Sequence, residues 1–280
     1  MKTKLIIFLI IISLFLIIKN VFADVKIISK NPDYLKRGKL FGEARIANAY
    51  GQVNYKPNYK IIKDPTGTSP FKIVENFSPR KGDCSEKEHW EGRSGGITDC
   101  NTGRLRLEIY GKNKLSKKLV KKKPREIWYG YYIYIPKNFP KDEYLQPYLN
   151  QFYGSNKNSR GGYVPQISAA IFKNKLQILG SYIIDEKNLK GKWHKIEYHI
   201  KWSINNDGFV KVYHNNKLKI DKTEFITMSH DFVSFKYGTY SHKDYGYTYP
   251  ENYQFPGHTI YFAGVSVSKK RSKLKVNKIK

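Results

Sequence analysis

The sequence is poor in acidic residues, in cysteine and in helical periodicity. Asp and Glu number 23 against 51 Lys and Arg, and only two cysteines occur. Because amphipathic helices are nearly absent, the fold is predicted to be all-β. Because no Pro-, Ser- and Gly-rich linker and no internal repeat divides the chain, we expect one domain. No zinc or EF-hand spacing is present, so we predict no cofactor and no catalytic metal; a structural calcium ion stays an open alternative.

Only one long apolar run occurs, at residues 5–18. It follows Lys2 and Lys4 and precedes a small-residue site ending at Ala23. The run is shorter than the roughly 20 residues of a typical membrane span. We therefore predict a signal peptide at residues 1–23, a single domain at 24–280 and export to the periplasm or the exterior, with no stable membrane insertion after cleavage. An uncleaved N-terminal anchor is the alternative.

The two cysteines, Cys84 and Cys100, are expected to form a disulfide, because an even pair in an exported protein is usually bridged. Closing a loop of this size stabilises a protein by about 3 kcal/mol. We expect the bridge to hold the Gly-rich segment 91–96 against a sheet. Neither thiol is expected to be catalytic.

The formal net charge of +28 favours a polyanionic partner. Nucleic acid would be the first candidate in a cytosolic protein, but export favours an acidic polysaccharide or an anionic cell surface, so we expect no nucleic-acid binding. Solubility in a lysine-rich proteome is the alternative explanation. The lysine-rich stretches at 112–123 and 269–280 are predicted to be a solvated loop and a frayed basic tail. We expect a monomer.

Short alternating runs bounded by Gly, Asn, Asp and Pro recur along the chain, as in half-buried strands. In residues 104–110 the apolar side chains share one face and the charged ones the other. Residues 127–135 are covered on both faces and should form a central strand. Asn215 and Asn216 fit a two-residue hairpin turn. The pattern predicts two stacked antiparallel sheets, a β-jelly roll with an exposed concave face of polar and aromatic side chains.

Several motifs follow one another over residues 70–268. They are Gly82-Asp83-Cys84, Asp99-Cys100-Asn101 with Arg104 and Arg106, and residues 126–136, 150–153, 191–203, 207–217 and 236–240. In content and order they resemble the polysaccharide lyases of the heparin lyase I type. The resemblance implies a concanavalin A-like jelly roll whose groove binds an acidic polysaccharide, such as a uronan or a glycosaminoglycan, and cleaves it by β-elimination.

That reaction needs a donor that neutralises the uronate carboxylate, a base for the C5 proton and an acid for the leaving oxygen. In the resembled family a Gln-Trp-His stretch supplies the base, and the tyrosine of a Lys-x-Gly-x-Tyr motif serves as acid or base. Here residues 236–240 keep the second motif, which ends at Tyr240, but residues 151–153 read Gln-Phe-Tyr. Tyr153 thus replaces the histidine, although a phenol ordinarily titrates near 10 and imidazole near 6.5.

Two interpretations of Tyr153 compete. Among arginines and lysines a phenol has a lowered pKa, so Tyr153 and Tyr240 could divide the roles of base and acid, or one could perform both. Alternatively, Tyr153 only stacks on sugar and the protein is a non-catalytic carbohydrate-binding protein. His242, on the strand face of Tyr240, is the candidate base if Tyr153 is inert. A structural envelope protein would explain the charge but not the motifs.

Arg104 and Arg106 match the arginine pair of the resembled family, and a bidentate guanidinium suits a carboxylate or a sulfate. The resemblance places Arg104 among the catalytic residues and Arg106 among the substrate-binding ones, with an ordinary ion pair to Glu108 or a neighbour expected for at least one of them. Gln151 could hold the carboxylate by hydrogen bonds. Lys236, about 13 Å from Tyr240 along an extended strand, is expected to bind the charge of the next sugar. Further predicted substrate-binding residues are His199, Tyr132, Tyr245 and Tyr247, and a rim of loop tyrosines including Tyr249 and Tyr253 is expected to stack on sugars.

Overall fold

A computed structural model describes residues 44–46, 58–84, 99–100, 102–111, 115–155, 164–243 and 247–278. The predicted signal peptide at 1–23 and the Gly-rich segment at 91–96 lie outside these ranges. Within the described ranges, no helix has both the length and the apolar character needed to cross a membrane.

The described residues form fifteen strands in two antiparallel sheets, numbered here in chain order. Sheet A contains, from edge to edge, β1 (Ala44–Ile46), β4 (Leu105–Gly111), β14 (Phe232–Ser241), β7 (Tyr148–Ser155), β8 (Val164–Phe172), β9 (Lys175–Ile178) and β10 (Ser181–Ile184), with β5 (Leu115–Ser116) beside β14. Sheet B contains β13 (Lys217–Phe225), β12 (Gly208–His214), β11 (Trp193–Trp202), β6 (Arg125–Tyr134), β15 (Ile260–Ser268), β3 (Ile73–Phe77) and β2 (Tyr59–Lys63). Two short helices, α1 (Lys117–Lys122) and α2 (Glu186–Leu189), lie in connections. The predicted two-sheet fold is confirmed.

Aromatic side chains join the inner faces of the two sheets. Phe152 of β7 contacts Tyr129 of β6 and Tyr198 of β11, with ring centroids 4.7 and 5.3 Å apart. The hydroxyl groups of Tyr131 and Tyr198 donate hydrogen bonds to Asn150 Oδ1 at 2.7 and 2.8 Å. Buried phenols are therefore satisfied inside the core. Since side chains alternate along a strand, Gln151 and Tyr153, which flank Phe152, lie on the outer face of sheet A.

Three local predictions are confirmed. Strand β6, which contains most of residues 127–135, is the fourth of the seven strands of sheet B. Asn215 and Asn216 have φ values of 47° and 70° and connect β12 to β13, as a two-residue turn with positive φ at both positions requires. Cys84 and Cys100 form a disulfide.

The predicted frayed tail at 269–280 is wrong for residues 271–277. Two 3-10 turns place this segment against the outer face of sheet B, where Leu274 is fully buried. Arg271 Nε and Nη2 donate to the two carboxylate oxygens of buried Glu197 at 3.1 and 2.8 Å. A bidentate ion pair and an apolar anchor therefore hold the segment despite its high lysine content.

Candidate active site

A continuous row of side chains crosses the outer face of sheet A. Each member is the direct register partner of the next, from β4 to β10: Arg106, Tyr240, Tyr148, Ala170, Gln177 and Tyr182. Paired residues of an antiparallel ladder project from the same side of the sheet. We call these six residues the cross-strand row. Such a row runs perpendicular to the strands and offers a track for an extended ligand.

Tyr240 lies among aromatic and cationic groups of this row. Arg106 Cζ is 4.4 Å from the centroid of the Tyr240 ring, and the rings of His242 and Tyr148 stack on it at 5.3 and 6.1 Å. Burial raises the pKa of the Tyr240 phenol above its ordinary value, although the positive charges of Arg106 and Arg104 lower it. The expected lowering of the phenol pKa is therefore wrong for Tyr240, and this side chain is protonated at neutral pH.

Lys236 lies between the two predicted tyrosines. Its Nζ atom is 4.9 Å from the ring centroid of Tyr153 and 5.5 Å from that of Tyr240. The same ammonium donates to Glu108 Oε2 at 3.1 Å. Burial lowers the pKa of Lys236, and Glu108 opposes this shift. The expectation that Lys236 binds the charge of the next sugar is therefore corrected. The predicted distance of about 13 Å is measured along the backbone from residue 236 to residue 240, and the long lysine side chain spans it and reaches both rings.

The two arginines differ in their partners. Arg106 Nη2 donates to Oδ1 of fully buried Asp99 at 2.8 Å, so the expected ion pair is found at Arg106. Burial would lower the pKa of Arg106, but the charge of Asp99 helps to raise it. Arg104 precedes β4 and is half-buried; in the part of the chain that the structure describes, its guanidinium forms no ion pair. Arg104 is therefore the arginine that can receive an added anion.

Gln151 lies beside these groups, since its register partner on β14 is Lys236. Its inner-facing neighbour Phe152 is in the core, so the amide lies on the outer side of sheet A. Gln151 is buried, yet its side chain makes no hydrogen bond with any described residue. The amide is therefore available to hydrogen-bond to a ligand or a water molecule on this face.

His242 adjoins the cross-strand row. Its ring is parallel to that of Tyr148, with centroids 5.6 Å apart. The His242 Nδ1 atom is 3.2 Å from the carbonyl oxygen of Lys243. A proton on Nδ1 that is donated to this carbonyl leaves the lone pair on Nε2. The ring can then accept a proton at Nε2.

The prediction that His199 and Tyr132 bind substrate is corrected, because both residues lie far from the cross-strand row. They belong to β11 and β6 of sheet B and project from its outer face. The His199 ring stacks on Trp128 at 4.0 Å, and its Nε2 atom is 3.2 Å from Glu126 Oε2. Both sheets and the core between them separate these two residues from Tyr240. Alternation alone could not identify the sheet to which each strand belongs.

The predicted rim tyrosines differ in their exposure to solvent. Tyr245 lies outside the described residues. Tyr247 is 38% exposed and its hydroxyl accepts a hydrogen bond from Gln146 Nε2 at 3.3 Å. Tyr249 and Tyr253 instead pack against the core, and the Tyr253 hydroxyl donates to Asp142 Oδ1 at 2.7 Å. The predicted stacking rim is therefore wrong for these two residues, because the loop folds back onto the domain.

Sequence reasoning missed Tyr148 and the cavity next to it. A cavity of about 280 Å³ opens beside Tyr148 on the same face. Its lining residues are Gln146, Tyr148, Ser168, Ala170, Phe172, Gln177, Leu179 and Gly180. Alternation in β8, where Ile167, Ala169 and Ile171 are buried, was the signal that could have placed Ser168 and Ala170 on the outer face.

Comparisons with known proteins support the same architecture. A family model described as "Polysaccharide lyase" matches residues 43–266. No match was found among curated proteins. The chain is similar to the solved structure of the endo-β-1,4-glucuronan lyase from the fungus Trichoderma reesei, with a TM-score of 0.54, 13% identity and coverage of 84% of this chain and 98% of that one.

Two further solved structures are similar at lower TM-scores. An alginate lyase of polysaccharide lyase family 7, AlgAT5, has a TM-score of 0.47 and 14% identity, covering 78% of this chain and 84% of its own. The catalytic domain of a GH131 β-glucanase from Podospora anserina has a TM-score of 0.44 and 12% identity, covering 78% and 82%. At such identities the similarity to the glucuronan lyase concerns the fold, and it agrees with the two-sheet architecture.

Proposed function

Because the chain belongs to the polysaccharide lyase family, we propose that it is an exported enzyme that cleaves a uronic-acid-containing polysaccharide by β-elimination. The observation that carries this proposal is the meeting of Tyr240, Tyr153, Gln151 and Arg104, an arginine with no ion pair to any described residue, on one side of sheet A. The motif order over residues 70–268 supports a place near the heparin lyase I type. The predicted signal peptide and the disulfide support export of residues 24–280 as one domain.

The first task of the site is to neutralise the uronate carboxylate. In this proposal the Arg104 guanidinium and the Gln151 amide bind that group, because neither makes an ion pair or a side-chain hydrogen bond with the described residues. A guanidinium suits a planar carboxylate in bidentate geometry. Neutralisation makes the C5 proton more acidic and stabilises the negative charge that develops when this proton leaves.

The second task is to move two protons. In our proposal Tyr153 removes the C5 proton as a phenolate, which is favoured by the Lys236 ammonium 4.9 Å from its ring and by Arg106. The C5–H electrons form the C4–C5 double bond, and the C4–O bond breaks. Tyr240, whose pKa is raised, donates its proton to the leaving oxygen. Tyr153 then releases its proton to solvent and becomes a phenolate again, and Tyr240 takes up a proton and becomes a phenol again. His242 is the alternative base.

The substrate is proposed to be a uronan. The charge of +28 and the cations at the site favour an acidic polymer over a neutral one. Glucuronan is the first polymer to test, because a lyase with a similar fold acts on it. Alginate, pectate and glycosaminoglycans complete the panel.

The experiment follows the ultraviolet absorbance of the unsaturated uronate produced from each polymer. We expect absorbance to rise with the native protein on at least one uronan and to stay flat with Tyr240→Phe. Tyr213→Phe is the matched control, since Tyr213 is a half-buried tyrosine of β12 in sheet B; it should retain activity. Binding of an acidic polymer without any absorbance change would overturn the proposal and favour a carbohydrate-binding protein.

A further inference from the structure

The cross-strand row continues well beyond the residues that could carry out the elimination. From Tyr148 it passes over Ala170 and Gln177 to Tyr182 on the edge strand β10. Ala170 carries only a methyl group, and the cavity of about 280 Å³ lies above it, next to Ser168. The row is therefore recessed at Ala170, and this recess has the aromatic side chains of Tyr148 on one side and Tyr182 on the other. A sugar ring fits such a space better than a side chain of the protein does.

An aromatic platform stands at the far end of this floor. The rings of Phe172 and Tyr182 stack with centroids 6.4 Å apart and an interplanar angle of 23°. Tyr182 is 45% exposed, so a face of its ring is open to solvent. Phe172 also lines the cavity, so the platform and the cavity are continuous. Pyranose rings pack well on exposed aromatic faces of this kind.

Two lysines accompany the platform. Lys175 Nζ is 5.1 Å from the centroid of Tyr182, and Lys173 Nζ is 5.6 Å from that of Phe172. Lys173 and Asn174 have φ values of 49° and 58°, so a tight turn between β8 and β9 fixes Lys173 beside the ring. Neither ammonium forms an ion pair with any residue in the described ranges. Cations without a carboxylate partner next to a stacking surface suit an acidic sugar rather than a neutral one.

We propose that Phe172, Tyr182, Lys173 and Lys175 form a distal subsite for a uronate residue of the substrate. This inference rests on the proposed function. Tyr182 is four strands from Tyr240, which corresponds to about 19 Å. The polysaccharide thus lies across the strands, with the bond to be cleaved near Tyr240 and a uronate several sugars away held at β10. The subsite contributes to the binding of long chains only.

The test measures kcat and KM for uronan oligosaccharides of increasing length and for the polymer. For Tyr182→Ala we expect KM of the polymer to rise about tenfold, the size of one lost stacking contact. For Lys175→Ala we expect a rise of about threefold that disappears at high salt. The shortest oligosaccharides that are cleaved should give native kcat/KM with both variants. Leu218→Ala, on the edge strand β13 of sheet B and 47% exposed, is the matched control.

The outcomes separate the two proposals. If the native protein cleaves uronans and Tyr182→Ala changes KM equally for short and long substrates, or not at all, the distal subsite is refuted while the lyase function stands. If the native protein cleaves no substrate of any length, the proposed function fails first. A chain-length-dependent loss in Tyr182→Ala, absent from Leu218→Ala, supports the subsite.

Discussion

Replacing Arg106 by methionine should destabilise the protein, whereas the same replacement of Arg104 should mainly reduce activity. Arg106 Nη2 bonds to Asp99 Oδ1 at 2.8 Å, and Asp99 is fully buried. Removing one partner of a buried ion pair costs about 3–5 kcal/mol. We expect the lower end, about 3 kcal/mol, because part of the Arg106 side chain reaches solvent. For a domain of this size, this lowers Tm by about 6–12 °C.

Arg104 gives the opposite expectation. Its guanidinium has no ion-pair partner among the described residues, so Arg104→Met should change stability by no more than about 0.5 kcal/mol. If it neutralises the substrate carboxylate, kcat/KM should fall by about 100-fold. Thermal unfolding followed by circular dichroism measures the first effect, and initial rates of unsaturated product measure the second. Equal loss of stability in both variants, or a fully active Arg104→Met, would refute the reasoning.

Three other predictions concern separate parts of the fold. Tyr240→Phe should lower kcat by about 10²–10⁴-fold and leave polymer binding by calorimetry intact; weakened binding would instead assign the hydroxyl to substrate recognition. Burial would raise the pKa of Glu197, but hydrogen bonds from Arg271 and Asn277 lower it. The ionised Glu197 therefore stabilises the protein above about pH 4.3, its unfolded pKa, and this stability is lost as the pH falls through the lowered pKa of the folded state. Glu197→Gln should cost about 3 kcal/mol of unfolding free energy at neutral pH. In urea titrations at several pH values, the variant should also lose less stability than the native protein as the pH falls. Replacing Cys84 and Cys100 by serine should cost about 3 kcal/mol in the same titrations, and an unchanged urea midpoint would show that the bridge is dispensable.

Much of the fold could be predicted from the sequence because β-structure leaves a local signal. Period-two alternation separated inner from outer side chains in residues 104–110, most of which form β4 with Leu105 and Leu107 in the core. The turn at Asn215 and Asn216 depends only on which residues tolerate positive φ, so the identity of these two residues was sufficient to predict it.

The arrangement of the candidate site depends on pairing between distant strands, which local patterns do not encode. Tyr148 meets Tyr240 only because the register between β7 and β14 shifts after Tyr237, and the sequence carries no simple signal of that shift. The same limit explains His199, which alternates like a groove residue but belongs to sheet B. The effect of burial on Tyr240 could not be predicted either, because it depends on neighbours contributed by other strands.

The central claim is that acidic sugars bound across sheet A are cleaved by elimination rather than by hydrolysis. The most direct measurement is mass spectrometry of the products formed from a cleaved uronan in heavy-oxygen water. Elimination predicts fragments that carry an unsaturated uronate, are lighter by one water than hydrolysis products, and contain no heavy oxygen from the cleavage step. Saturated fragments, with one heavy oxygen incorporated for each bond cleaved, would contradict the account.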